Sequence, residues 1–284
     1  MLIGNAPCSW GINYPTGNRY TWQVYLDEVA AAGYCGTELG PFGFLPKDAG
    51  LLKDELARRR LTLIGATHVH GFSDASTGPA FLATIGKLAT LLVSLGAKHL
   101  VIMDESNVYP AGQEGVLDAD GWRGLVDMVR DAQSLVEDEF GLTLSFHPHV
   151  GTAIEKEDQI DRLLDETETA LCFDTGHHAF WNQDPLAYMR RVYPRIAYMH
   201  LKNVDPKVRA RVLTGELSVA QSYGAGVMCP LPDGAVDIQA VMRLLKEREF
   251  SGPIVVEQDV AANATEPPLA LAARNLAYMN GMSA

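Results

Sequence analysis

The amino-acid sequence predicts a single (β/α)8 (TIM) barrel, on three observations. Short β-rich runs alternate with longer amphipathic runs from end to end, eight of each. The length of 284 residues lies near the ~250 usual for such barrels. Polar, chemically capable side chains end most of the strand-like runs, where a barrel of this kind keeps its active site.

The strand-like runs are 2–6, 35–39, 62–67, 99–103, 143–147, 170–173, 196–200 and 253–257. The helix-like runs are 22–32, 49–59, 79–95, 120–140, 156–166, 185–192, 237–248 and 268–279. Gly33, Gly96 and Gly141 follow helix-like runs at positions suited to a left-handed C-terminal cap. Pro185 and Pro268 fall where a first helical turn tolerates proline. With no composition break or low-complexity tract, residues 1–284 read as one domain. The one irregular stretch, about 203–237 after the seventh strand, is far longer than an ordinary βα loop and is expected to act as a lid or substrate clamp, with an interface arm as the alternative. An open doubly wound sheet would share the alternation, but G-x-G-x-x-G is absent after the first strand, as is a P-loop.

Composition narrows the function classes. Hydrophobic residues make up 47% and charged residues 20%, ordinary for a globular chain with a sizeable core. A formal net charge of −12 argues against nucleic acid, whose phosphates call for a basic surface, and against anionic membranes. No apolar run is expected to approach the ~20 residues that span a bilayer. The start, MLIGNAPCSWG, lacks the basic and long apolar segments of a secretory signal, so a cytoplasmic location is expected. Cys8, Cys35, Cys172 and Cys229 form no C-x-x-C pair and read as free, buried thiols.

Seven of the eight histidines fall at predicted strand ends; His99 does not. Strand two ends in Glu38, strand three runs through His68 and His70, and strand four ends in Asp104-Glu105. Strands five to eight each deliver one potential metal ligand at the same level: His147, Asp174, His200 and Glu257. This mixed imidazole and carboxylate set suits Mn²⁺ or Co²⁺ first, with Fe²⁺ or Zn²⁺ as further candidates, whereas Mg²⁺ or Ca²⁺ favours all-oxygen ligands. Any one of the four alone reads first as a satisfied polar residue at a strand end; four on consecutive strands read as a metal site. His149 competes with His147 as the strand-five ligand. Lys202, two residues beyond His200, is expected on the same side of the strand, where it either stabilises an oxyanion or is merely exposed. His68, His70, Glu38, Trp10 and His149 are candidate substrate contacts. Against them stand packing for the two histidines and Trp10, and an ion pair for Glu38.

Six segments together carry a family resemblance: Gly4-Asn5-Ala6-Pro7-Cys8-Ser9-Trp10-Gly11, Thr37-Glu38-Leu39-Gly40-Pro41, Phe146-His147-Pro148-His149-Val150-Gly151-Thr152, Phe173-Asp174-Thr175-Gly176-His177, Met199-His200-Leu201-Lys202 and Val256-Glu257-Gln258-Asp259. They resemble the xylose-isomerase-like barrel superfamily, and within it the inosose dehydratases and their sugar isomerase/epimerase relatives. The resemblance implies a divalent metal held by one residue from each of the last four strands, commonly Glu, Asp, His and Glu. Asp174, His200 and Glu257 fit, and His147 stands where the first glutamate is usual. The epimerases use that glutamate as an acid–base group, so its replacement tilts the expectation from epimerisation toward elimination.

The chemistry expected is dehydration of an inosose or related keto-polyol through an enediolate. By the resemblance, His177 is a substrate contact or acid–base group, and Glu257 doubles as ligand and base. The competing enzyme readings are an aldose–ketose isomerase, a 3-epimerase, or a lyase that cleaves 3-keto-glycosides. A catalytically dead sugar-binding barrel and a barrel endonuclease are the readings from other classes. Small polyhydroxylated ketones or sugars are the expected partners, and the resemblance alone suggests a homo-oligomer.

Overall fold

Short parallel strands follow one another around a closed barrel: β1 (Ile3–Asn5), β2 (Gly36–Glu38), β3 (Thr62–His70), β4 (His99–Asp104), β5 (Thr143–Phe146), β6 (Ala170–Asp174) and β7 (Ile196–Leu201). Two further strands, β8 (Asn203–Val204) and β9 (Met228–Cys229), form a separate antiparallel pair. The barrel closes through β10 (Ile254–Val256), which pairs in parallel with both β7 and β1. The computed structural model describes residues 2–105, 109, 113, 115–260 and 264–281.

Around the strands run α1 (Trp22–Ala31), α2 (Ala49–Arg58), α3 (Gly78–Ser94), α4 (Ala119–Ser134), α5 (Glu157–Glu166), α6 (Thr175–Phe180), α7 (Pro185–Val192), α8 (Pro206–Leu213), α9 (Val219–Gly224), α10 (Ile238–Glu247) and α11 (Pro268–Gly281). Side-chain caps explain where many begin. Thr21, Asp48, Asp118, Asp184 and Asp237 each accept a hydrogen bond from a first-turn N–H of the helix that follows. Gly33 (φ 97°) and Gly96 (φ 75°) adopt the left-handed backbone expected where a helix stops.

Two layers of core result. The barrel interior is filled by small and medium side chains, Ala6, Ile64, Val101, Cys172 and Val255, with Tyr198. Space there is tight: a β-carbon on Gly36 would lie 2.8 Å from Ile64 Cγ1, so glycine lets the isoleucine cross the interior. A larger apolar layer packs strands against helices. In α3, Phe81, Ile85, Leu88 and Leu92 form a buried stripe at helical spacing, while Lys87, Thr90 and Val93 face outward.

Three expectations need correction. The helical stretch Ala75–Ser94 reaches a hydropathy of 1.3, long and apolar enough to pass as a membrane span, contrary to the expectation that no run approaches that length. Here the stripe just described turns toward the barrel. The stretch 203–237 is not irregular: it holds β8, α8, α9 and β9. Asp205 caps α8 and Ser218 with Gln221 forms a capping box on α9, but helices of eight and six residues are too short to show a clear period. Cys35 is exposed rather than buried.

Candidate active site

Strand periodicity carries the last four strand ends inward. Cys172, Tyr198 and Val255 fill the barrel interior, and two residues beyond each come Asp174, His200 and Glu257 on the same face. His147 follows the buried Ser145 by the same step. All four are buried, with Glu257 the most accessible at 6%. His200 Nδ1 lies 3.4 Å from Glu257 Oε2 and 3.9 Å from Asp174 Oδ2. The ring of His147 stands edge-on to that of His200, centroids 4.8 Å apart. Donor atoms of His147, Asp174 and His177 lie within 4.8 Å of one another, as do those of Glu38, His200 and Glu257.

Lys202 enters the same space. Its buried ammonium lies 3.1 Å from Glu257 Oε2, 2.9 Å from Asp259 Oδ2 and 3.1 Å from His177 Nε2. Its stem passes over the start of α6, where a β-carbon on Gly176 would lie 2.8 Å from Lys202 Cβ. That close approach explains the glycine in Asp174-Thr175-Gly176-His177. Asp174 Oδ1 caps α6 by accepting from the N–H groups of Gly176 and His177, both at 2.8 Å, which leaves Oδ2 for other work.

Charge and burial set the protonation states. Burial, opposed by Lys202 and His200, pushes the Asp174 carboxyl up to about 6. Burial, then the neighbouring His149 and Lys202, hold His177 well below the usual imidazole range, so it is neutral. Burial likewise lowers His147, reinforced by His200. Burial opposes a charged His200, but Cys172, Glu257 and Glu38 outweigh it and raise the group. Lys202 is raised against burial by Asp259, Glu257 and Asp174, and stays cationic.

The remaining candidates divide sharply. Glu38 is buried and spoken for: Oε1 accepts from His200 Nε2 at 2.9 Å and from the Tyr198 hydroxyl at 2.8 Å, and Oε2 from Thr67 Oγ1 at 3.0 Å. It is a partner of His200 rather than a free substrate contact, and it turns Nδ1 of that ring toward Asp174 and Glu257. His68 and His70 do share one side of β3, but it is the helix-facing side. Both stack on Phe81 of α3, at 6.0 and 4.6 Å, and His70 Nε2 pairs with Thr77 Oγ1 at 2.9 Å. Their expected place at the mouth is therefore corrected: Thr67, between Ala66 and His68, is the residue that faces Glu38. Trp10 is buried at 3% exposure, edge-on to Tyr25, with Nε1 donating to Glu28. His149 stays at the site, its ring 3.8 Å from that of His177, but Nδ1 pairs with the Val150 carbonyl at 2.8 Å. His147, not His149, has donor atoms in reach of Asp174 and His200.

Sequence reasoning did not single out Asp259, the Cys172 sulfur within reach of His147 and His200, or Tyr223, whose buried hydroxyl has no partner. The i+2 step from Glu257 would have flagged Asp259. Nothing in the sequence marks Tyr223, because its helix is a single turn and a half inside the long segment.

A divalent cation fits these residues. Among the described residues, His147 Nδ1, Asp174 Oδ2 and His200 Nδ1 are buried without hydrogen-bond partners, although buried polar atoms are nearly always paired. All three belong to strand ends that converge, and Glu257 Oε2 lies beside them. Three carboxylates, Asp174, Glu257 and Asp259, lie within 4 Å of Lys202, and a fourth, Glu38, pairs with His200, so the carboxylates outnumber the cationic groups and a divalent ion offsets the excess.

A family model described as xylose isomerase-like TIM barrel matches residues 26–281. An inosose dehydratase of Geobacillus thermodenitrificans is 31% identical over 274 residues, covering 91% of this chain and 90% of that protein. The rhizopine catabolism protein MocC of Rhizobium meliloti is 32% identical over 255 residues, covering 85% and 76%. Among solved structures, the probable 3-DHS dehydratase AsbF of Bacillus anthracis superposes with a TM-score of 0.76 at 14% identity, covering 99% of each chain. The zinc-bound IolI protein gives 0.75 at 14% identity, covering 99% and 98%. At that identity the structural likeness speaks to the fold. Closed barrel, strand-end cluster and family match agree: the chain belongs to the xylose isomerase-like TIM barrel family.

Proposed function

We propose that this protein is a divalent-metal-dependent dehydratase of an inosose or a closely related keto-polyol. The observation that carries the reading is a set of buried atoms on three successive strand ends, His147 Nδ1, Asp174 Oδ2 and His200 Nδ1, that have no hydrogen-bond partner among the described residues, the last two 3.9 Å apart, beside a buried lysine and a neutral histidine. Its sequence relatives named as inosose dehydratases supply the substrate class. His147, Asp174, His200 and Glu257 would hold the ion, and their mixed nitrogen and oxygen donors favour Mn²⁺ or Co²⁺, then Fe²⁺ or Zn²⁺. Such an ion polarises a ketone and stabilises an enediolate.

The protein's own groups do the rest. Neutral His177 accepts the proton from the carbon beside the ketone, and the resulting imidazolium returns it to the departing β-hydroxyl, which leaves as water. The Cα–H and Cβ–O bonds break, a carbon–carbon double bond forms, and no redox partner is needed. Lys202, held cationic at 3.1 Å from His177 Nε2, donates to the oxygen on which charge develops. Glu257, committed to His200 and Lys202 at 3.4 and 3.1 Å, serves first as a ligand and in second place as a base. His149, beside His177, is the remaining candidate contact for substrate. The partner is a small polyhydroxylated ketone, and the free thiols fit a reducing cytoplasm.

Incubation of 2-keto-myo-inositol with the Mn²⁺- or Co²⁺-loaded protein tests the reading, with the absorbance of the dehydrated diketone as the expected result. Deuterium wash-in without loss of water would replace it by an isomerase or epimerase. Inertness toward inososes with release of an aglycone from a 3-keto-glycoside would replace it by the glycoside-cleaving lyase.

A further inference from the structure

Between β7 and α10 the chain leaves the barrel and returns over the same end that carries Lys202 and His177. This excursion is pinned, not loose. Asn203, fully buried, donates through Nδ2 to the carbonyls of Leu231 and Val236 at 2.8 and 3.1 Å, and its Oδ1 accepts from the N–H groups of Val204 and Val236. Arg209 Nη1 donates to the Ala179 carbonyl at 2.9 Å, tying α8 to the end of α6. Within α9, Ser222 is buried and its hydroxyl donates to the Val219 carbonyl.

The residue after Ser222 is Tyr223. Its ring is partly accessible, but its hydroxyl oxygen is buried and has no hydrogen-bond partner among the described residues. The Val227 N–H donates to the Ser222 carbonyl and the Asp205 N–H to the Val227 carbonyl, which holds the end of α9 against the stretch that follows Lys202; Asp259, Lys202, Asp174 and Glu155 are the charged groups near enough to act on the phenol. Its polar neighbours are engaged elsewhere: Lys202 with Glu257 and Asp259, and Glu155 Oε2 with the Gly151 N–H and Trp181 Nε1. A buried hydroxyl without a partner is costly, and a ligand hydroxyl placed against it removes that cost. Burial and the nearby carboxylate of Asp259 also keep the phenol protonated, which suits a donor and not a proton-transfer acid.

We infer that the Tyr223 hydroxyl donates a hydrogen bond to a substrate hydroxyl remote from the ketone, and so helps set which polyols the site accepts. The identity of the polyol rests on the dehydratase reading; the contact itself rests on the buried, unpartnered hydroxyl. A pinned segment makes this a fixed wall of the site rather than a swinging lid.

The test compares wild type with Tyr223→Phe, both Mn²⁺-loaded, for turnover of 2-keto-myo-inositol and for calorimetric binding of myo-inositol, which has no ketone to react. The expected result is a rise of about 10- to 30-fold in KM and in the myo-inositol Kd, with kcat changed by less than about 3-fold. Melting temperature and Mn²⁺ affinity should stay as in wild type. Tyr223→Gln, which restores a donor on a shorter side chain, should recover part of the affinity. Unchanged KM and Kd, a loss confined to kcat, or a loss of Mn²⁺ affinity would overturn the inference while leaving the dehydratase reading in place. Wild type that binds myo-inositol through Tyr223 yet does not dehydrate the inosose would overturn that reading and leave the inference standing. Wild type that binds neither compound would overturn both.

Discussion

The strand ends of the first and second halves of the barrel carry similar residue types and are built for different ends. On β2 to β4, Glu38 and Asp104 are saturated. Asp104 accepts from the N–H groups of Phe72, Glu105 and Ala153 and from the Tyr109 hydroxyl, so it staples loops together. His68 and His70 lie against α3. On β5 to β7, His147, Asp174 and His200 each keep a buried atom that has no hydrogen-bond partner among the described residues. Polar residue type at a strand end does not by itself mark a site. Unmet hydrogen-bonding capacity, gathered from several strands into one place, does.

Substitutions can break this contrast, and the largest effects belong to the second half. Asp174→Asn keeps an oxygen to cap α6 but removes the ligand charge, and His200→Ala removes a ligand outright. Each should lower turnover by at least ~10³-fold and abolish tight metal binding, read by steady-state rates and by metal titration. Lys202→Met should lower kcat by about 10²- to 10³-fold with metal still bound, because it removes the cation beside His177 and not a ligand. Glu38→Gln sits at the boundary between the halves. It should weaken metal binding by about 10- to 100-fold, as expected for a residue that orients a ligand. In the first half, His68→Phe and His70→Phe should leave kcat/KM within about 2-fold of wild type. A larger loss in either would return β3 to the active site.

His99 sharpens the contrast from another direction. Its Nδ1 is also buried and unpartnered, but it stands alone at the start of β4, at the opposite end of the strand from the cluster. Burial, then Lys98, lowers its pKa to about 4. The unfolded chain, protonating near 6.5, then binds more protons than the folded one between pH 6.5 and about 4. The stabilisation is complete above pH 6.5 and drains as pH falls toward 4. His99→Phe should therefore lose less melting temperature than wild type between pH 7 and pH 4.5, with turnover at pH 7 little changed. This is the smallest effect of the series.

These differences also explain what the sequence could reveal. All eight barrel strands were legible to within about three residues, because each is a short apolar run bounded by turn chemistry. The π-helical turn at Leu135–Glu139 merged into one predicted helix, since its hydrophobic spacing barely differs from α-helix. His147, Asp174, His200 and Glu257 were legible from their places at the ends of consecutive strands and Lys202 from the two-residue step beyond His200, whereas His177, inside α6, was legible only through the family resemblance. The same step misled on β3, where the pairing register with β2 shifts at Thr37/Glu38 and His68 and His70 face outward. Periodicity says which residues share a face, and only packing says which face. Tyr223 was illegible for a different reason: a short helix in a long excursion reaches the site through tertiary contacts alone.

The most direct test of the whole account is calorimetric titration of metal-stripped protein with Mn²⁺, for wild type, His200→Ala and His68→Phe. The account predicts one ion bound tightly per chain in wild type and in His68→Phe, and none bound tightly in His200→Ala. Binding that survives His200→Ala, or no binding in wild type, would contradict it.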